Sequence, residues 1–204
     1  MPEELNFGRE KNSSSTESRY RELLTRVVER RTAVDRFVNF IETSTSWLTS
    51  PASTRYHLAE EQGLLKHSVG VCEMLLKMKP FMRPEVSDES CVIVGLFHDV
   101  GKVGYPNNPL YIPNPKPDEV ARGIPYIYNP RVTKMGLAVR SLYLIAQYVP
   151  LTEEEAQAIC YHDGQYIEEN RIVAHYEKPL TLLVHFADMW TAAFHEEANR
   201  SEQG

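Results

Sequence analysis

The stretch GLFHDVGKVG, residues 95–104, ends an apolar run from Val92 to Phe97 with a histidine and an aspartate side by side, just before Gly101 and Lys102. Imidazole and carboxylate are both metal ligands. Adjacent helical residues lie about 100° apart and cannot share a face, yet at a helix end both can lean toward one ion. Such an ion needs further ligands, and two apolar segments offer them: His67 in GLLKHSVGV and Asp188 in LLVHFADMW. An ionised aspartate among Leu, Val, Phe, Met and Trp is costly to bury unless it is paired or coordinated. His67 alone reads as a hydrogen-bonded core histidine; together with His98, Asp99 and Asp188 it reads as a ligand.

A mixed His and carboxylate set suits a borderline divalent ion such as Mn, Fe, Co, Ni or Zn, which acidifies bound water and polarises a phosphoryl oxygen. Asp99 is placed to take the proton of that water. Lys102, one turn beyond His98, is placed to meet phosphate charge, although a lysine there also complements a helix dipole. Arg55, His57, Lys134 and Arg140 are further phosphate-contact candidates, each equally readable as a surface or structural residue. His185, three residues before Asp188, reads as a packed core histidine, and Trp47 and Trp190 as core.

The elements that must position these groups are helical. Apolar residues recur at three- and four-residue spacing from about Glu17 to Trp47, predicting one amphipathic helix, and SPAST, 50–54, breaks the pattern. Helical patterns then cover Gly63 to Met78, stopped near Pro80, and Ser87 to about Val100, the latter apolar nearly all round and ended by a Gly101 C-cap. Seven of the chain's 13 prolines fall between 103 and 133, interleaved with Tyr105, Tyr111, Tyr126 and Tyr128. That predicts a long irregular excursion with a short hairpin around GIPYIYN, beginning beside the metal and shaping the substrate pocket. Helices resume over 133–149, from a Thr152/Glu155 capping box, and over 180–196. The fold class expected is all-α: a flexible, Ser-rich segment 1–16 before a single helical domain 17–204.

At 204 residues the chain can bury a core without staples, and its three widely spaced cysteines suggest neither a disulfide framework nor a Cys-based zinc site. With no spanning run and no signal-peptide core, the reading is a cytoplasmic protein without a membrane partner. The net charge of −6 argues against broad attachment to nucleic acid. The arginines Arg19, Arg21, Arg26, Arg30, Arg31 and Arg36 read as a solvated helix face rather than a phosphate surface. Nothing in the sequence sets the oligomeric state.

The H…HD…D pattern of His67, His98, Asp99 and Asp188, with GLLKH upstream, HDVGK and HFAD, resembles the HD-domain metal-dependent phosphohydrolases over roughly residues 50–195. The resemblance implies a helical bundle, a divalent metal held by those four residues, and hydrolysis of a phosphate ester or anhydride. A nucleotide is the expected substrate. STRYHLAEEQGLLKHSV and YHDG, 161–164, are similar to segments of HD-type 3′-to-5′ exoribonucleases, which makes an exonuclease-like phosphodiesterase the alternative. A regulatory module that binds metal or nucleotide without turnover is the third reading. His162 of YHDG is a catalytic or substrate candidate. Where relatives carry a histidine in a GHGEKS-like segment, GLAVRS has Leu137, which implies one tightly held ion.

Overall fold

Every candidate ligand lies at or near a helix end. In the computed structural model the described residues, 15–195, form α1 (Thr16–Leu24), α2 (Arg31–Ser44), α3 (Gly63–Met82), α4 (Asp88–Phe97), β1 (Tyr111–Pro113), α5 (Pro117–Ala121), β2 (Tyr126–Tyr128), α6 (Leu137–Ala146), α7 (Glu153–Tyr161) and α8 (Pro179–Trp190). The fold is all-α apart from the β1–β2 ribbon, as expected. Of the segment expected to be flexible, residues 1–14 lie outside the described residues; Ser15 caps α1 and Thr16 opens it.

α4 is the centre. Every residue from Cys91 to Phe97 is buried, in keeping with an apolar composition on all sides. It packs on α3, which also carries α1 and α8, while α7 lies against α6, α8 and α4. Phe37 of α2 meets Phe97 edge to face, with ring centroids 5.1 Å apart, so the last apolar residue before His98 is anchored in the core.

The single helix expected over 17–47 is two. Its apolar period continues across 25–30, but Glu89 of α4 reaches into that stretch and accepts hydrogen bonds from the backbone N–H groups of Val28, Glu29 and Arg30. Those donors, satisfied from outside, no longer need a helix. Arg30 locks the break: its Nε donates to Glu89 (2.7 Å), its two terminal nitrogens to Glu155 (2.6 and 2.7 Å), and one of them also to the Pro150 carbonyl (3.0 Å). Glu155 is at the same time the capping-box partner of Thr152, as the sequence predicts. One buried network thus ties the starts of α2, α4 and α7. Arg19, Arg21, Arg26 and Arg31 are also paired with carboxylates, whereas Arg30, expected on a solvated helix face, is instead largely buried in this network.

Other boundaries move too. α3 continues through Pro80 to Met82, despite the donor that the proline lacks, and closes where Arg83 N–H bonds the Lys79 carbonyl. α4 stops at Phe97 rather than Val100, and a 3-10 turn, Val100–Val103, follows. Gly101 is therefore no left-handed cap. It is small because α6 crosses here: a Cβ would lie 2.4 Å from the Leu137 carbonyl oxygen and 2.8 Å from Ser141 N. α6 begins at Leu137 rather than Thr133, and α8 gives way after Trp190 to a π-turn, Thr191–His195, so of the helix expected to reach 196 the final residue lies outside the described residues.

In the proline-rich excursion, GIPYIYN is not itself a hairpin. Its Tyr126–Tyr128 pairs antiparallel with Tyr111–Pro113, enclosing α5. Prolines leave carbonyls without backbone donors, and asparagine amides fill the gap: Asn114 donates to the Ile124 carbonyl and Asn129 to that of Pro109. Arg140 binds this excursion to the turn after α4. Buried, it donates to the carbonyls of Thr133 (2.8 Å) and Gly101 (3.4 Å) and lies over the Tyr105 ring.

Candidate metal centre

His98 occupies the C-cap of α4 and His162 the C-cap of α7. Both use the cap in the same way. A helix C-terminus leaves carbonyls without intrahelical donors, and each histidine supplies one: His98 Nδ1 lies 2.9 Å from Gly95 O, and His162 Nδ1 lies 2.9 Å from Ile159 O. A carbonyl only accepts, so Nδ1 carries a proton in both rings, and Nε2 is the nitrogen turned toward the cluster. Asp99 follows at φ −104° and ψ 9°, outside the helix, which swings its carboxylate onto the side that His98 faces.

Four elements converge on that carboxylate. His67 Nε2, from α3, lies 3.6 Å from Asp99 Oδ2 and 3.1 Å from Asp188 Oδ1 of α8. His98 Nε2 is 3.6 Å from Asp99 Oδ2, and His162 Nε2 is 3.6 Å from Asp99 Oδ1. Potential ligand atoms of His67, His98 and Asp99, and again of His98, His162 and Asp188, lie within 4.8 Å of one another. The four residues read from the sequence are therefore together, and His162 joins them as a fifth.

The set fits a cation. His98 Nε2 is buried and makes no hydrogen bond, a state that costs about 1–3 kcal/mol in a folded protein unless something meets the lone pair. Burial pushes His98 down to about 4, which keeps it neutral, as a ligand must be. Burial works against the charge of Asp99, but Lys102, His98 and His162 outweigh it and hold the carboxyl well below its ordinary value. Asp188 is likewise held low, burial being overcome by the His67 hydrogen bond and neighbouring imidazoles. For His162 burial opposes protonation, yet the hydrogen bond and charge of Asp99 prevail and raise it to about 9.

Beside the cluster opens a cavity of about 290 Å³. His57, His67, Asp99, Lys102 and Asp188 line its ionic part. Lys102 Nζ donates to Asp99 Oδ2 at 2.5 Å, so it orients the carboxylate while facing the cavity. His57 lines the cavity, its ring 5.3 Å from that of His67. The other phosphate-contact candidates fall elsewhere. Arg55 is exposed and folded over the Tyr56 ring; Lys134 is exposed and outside the lining; Arg140 is buried on backbone carbonyls because the excursion needs its donors there.

The cavity wall also corrects the role expected for the excursion. None of the lining residues comes from 103–133; the wall is built by 163–167 and by α8 with the turn after it. Asp163, Tyr166, Ile167, Met189 and Ala192 are functional candidates that the sequence reading passed over. The one signal available was Gly164 of YHDG, at φ +63°. His185, expected in the core, is half-buried in this wall, its Nδ1 2.7 Å from the His162 carbonyl oxygen. Trp190, also expected in the core, is half-exposed because α8 turns it outward, whereas Trp47 is buried.

None of the described helices is long and apolar enough to cross a membrane. Searches of the curated proteins and of the solved structures return no match. The family model described as HD domain matches residues 64–190, from the start of α3 to the end of α8, and so encloses all five converging residues. The chain belongs to the HD domain family, whose members bind divalent metal ions and in general act as metal-dependent phosphohydrolases.

Proposed function

We propose that this protein hydrolyses the phosphate ester of a small nucleotide, a nucleoside monophosphate before all others, with a single divalent ion held by His67, His98, Asp99 and Asp188. The observation that carries this reading is the convergence of ligand atoms from α3, α4, α7 and α8 around the unpartnered Nε2 of His98. When bound, the ion acidifies a water and polarises a phosphoryl oxygen. Asp99 is the proton acceptor. Its Oδ2 is fixed by Lys102, and its Oδ1 faces His162 Nε2 at 3.6 Å, so both oxygens are held in place. Lys102 has two further N–H donors for a phosphate oxygen, and His57 stands at the same wall.

Charge favours a monoester. The cavity carries three carboxylates, Asp99, Asp163 and Asp188, against one lysine already shared with Asp99. A triphosphate would bring charge that no second side-chain cation of the lining meets. The exposed Glu168 and Glu169 just beyond the wall add to this and disfavour a polyanionic strand, against the exonuclease-like alternative. The test is phosphate release by the metal-replete protein from nucleoside mono-, di- and triphosphates, cyclic nucleotides and short oligonucleotides. Preference for monophosphates is expected. Preferred turnover of oligonucleotides would favour the exonuclease-like reading, and binding with no turnover of any of them the regulatory one.

A further inference from the structure

Beyond its ionic part, the cavity is lined by Tyr166, Ile167, His185, Met189 and Ala192. Tyr166 is the unusual one: a large ring left 82% exposed beside a buried ionic cluster. Its backing is rigid. The His185 ring lies 6.3 Å from it at 47°, and Phe186 lies 5.8 Å beyond His185 at 45°. His185 cannot shift, because its Nδ1–H is given to the His162 carbonyl and its ring covers Gly164, where a Cβ would fall 2.4 Å from Cε1. The segment bearing Tyr166 is braced as well: the nearly buried Asn170 donates from Nδ2 to the Gly164 carbonyl at 2.8 Å. Ile167 and Met189, each about 40% exposed, continue the apolar surface.

We infer that Tyr166, with Ile167 and Met189, forms the subsite for the organic group of the substrate, and that Tyr166 selects a planar aromatic ring by stacking on it. The inference rests on the hydrolase reading and adds to it where the base lies and what chooses it. A preorganised ring at the mouth of a phosphate site binds a flat π-system at little ordering cost, whereas an aliphatic group gains only area. The neighbouring Asp163 leaves that end of the cavity unsuited to a second phosphate.

The experiment compares adenosine 5′-monophosphate with ribose 5-phosphate, which shares phosphate and sugar but lacks the base, using full-length, metal-replete protein. Tyr166→Ala and Tyr166→Leu should each lower the ratio of the two kcat/KM values roughly ten-fold, the loss expected when one aromatic platform is removed from under a base. Tyr166→Phe should preserve it. In parallel, ligand-observed NMR of adenosine with the zinc-loaded protein should show transfer signals that vanish in Tyr166→Ala and persist in Tyr166→Phe. An unchanged ratio in the alanine variant, or a leucine variant equal to the parent, overturns the inference. If the parent releases phosphate from neither compound, the hydrolase reading fails, while loss of the adenosine signal in Tyr166→Ala would still uphold the ring subsite.

Discussion

Replacing Asp188 by asparagine keeps the shape of the side chain and removes one charge, which makes it the sharpest probe of the metal centre. The carboxylates in the cluster are two, Asp99 and Asp188, and Asp99 is already matched by Lys102. Asp188 meets His67 rather than a lysine, so its charge is the one an ion would draw on most directly. Two unit charges about 4 Å apart interact by about 4 kcal/mol at an effective dielectric near 20, roughly a thousand-fold in an equilibrium constant and a lower bound for a doubly charged ion. The 4.8 Å spread of the ligand atoms puts an ion among them inside that range. Asp188→Asn should thus lower metal affinity by roughly three orders of magnitude. Far-UV circular dichroism should not change, because the asparagine amide can still meet His67. Metal analysis after dialysis and competition with a chelator measure the first effect. Parent-like affinity in a folded variant would refute the placement of the ion.

Arg30→Met should destabilise the fold by about 3–5 kcal/mol in urea unfolding, because it leaves the buried Glu89 and Glu155 carboxylates unpaired. The same pair makes stability pH-dependent. Burial raises both carboxyls, but Arg30 and backbone donors outweigh it and set them below their ordinary value of 4.5. Their stabilisation is present above that value and lost as pH falls through the depressed folded values, so Tm should drop in acid, and the drop should shrink in Arg30→Met. Arg140→Ala should lower Tm by several degrees while shifting KM less than two-fold; a ten-fold rise in KM at unchanged Tm would restore its sequence-based role at the phosphate. Dialysed protein should retain about one metal equivalent, and two tightly held ions would contradict the single-ion centre.

The sequence carried the chemistry better than it carried the walls around it. HDVGK and an aspartate in an apolar helix were legible because burying ionisable groups has few explanations, and the Thr152/Glu155 box because both partners are local. The break at 25–30 was not legible: the residue that causes it, Glu89, lies about 60 positions away, and the apolar period runs on unbroken. Arg140 carries the right charge for phosphate, but only the folded excursion shows the carbonyls that claim it. Tyr166 had no local signature, since a tyrosine in a turn becomes a candidate only when α8 is seen beside it.

The proposed single-ion centre rests on the helix caps. Two triads can be drawn through the cluster, His67/His98/Asp99 and His98/His162/Asp188, and both need His98. Its Nδ1 is committed to Gly95 O, so one nitrogen remains, and one lone pair serves one ion. An ion on His98 thus leaves neither set whole for a second. Leu137 adds nothing to relieve this, for it packs at the start of α6 against the cluster of Leu110, Tyr111 and Val132 and is no part of the cavity lining. In the proposed single-ion centre, the cap that makes His98 a ready ligand also keeps it from serving a second metal. It also leaves Asp99, bridged between Lys102 and His162, free to act on a proton rather than to gather a second ion.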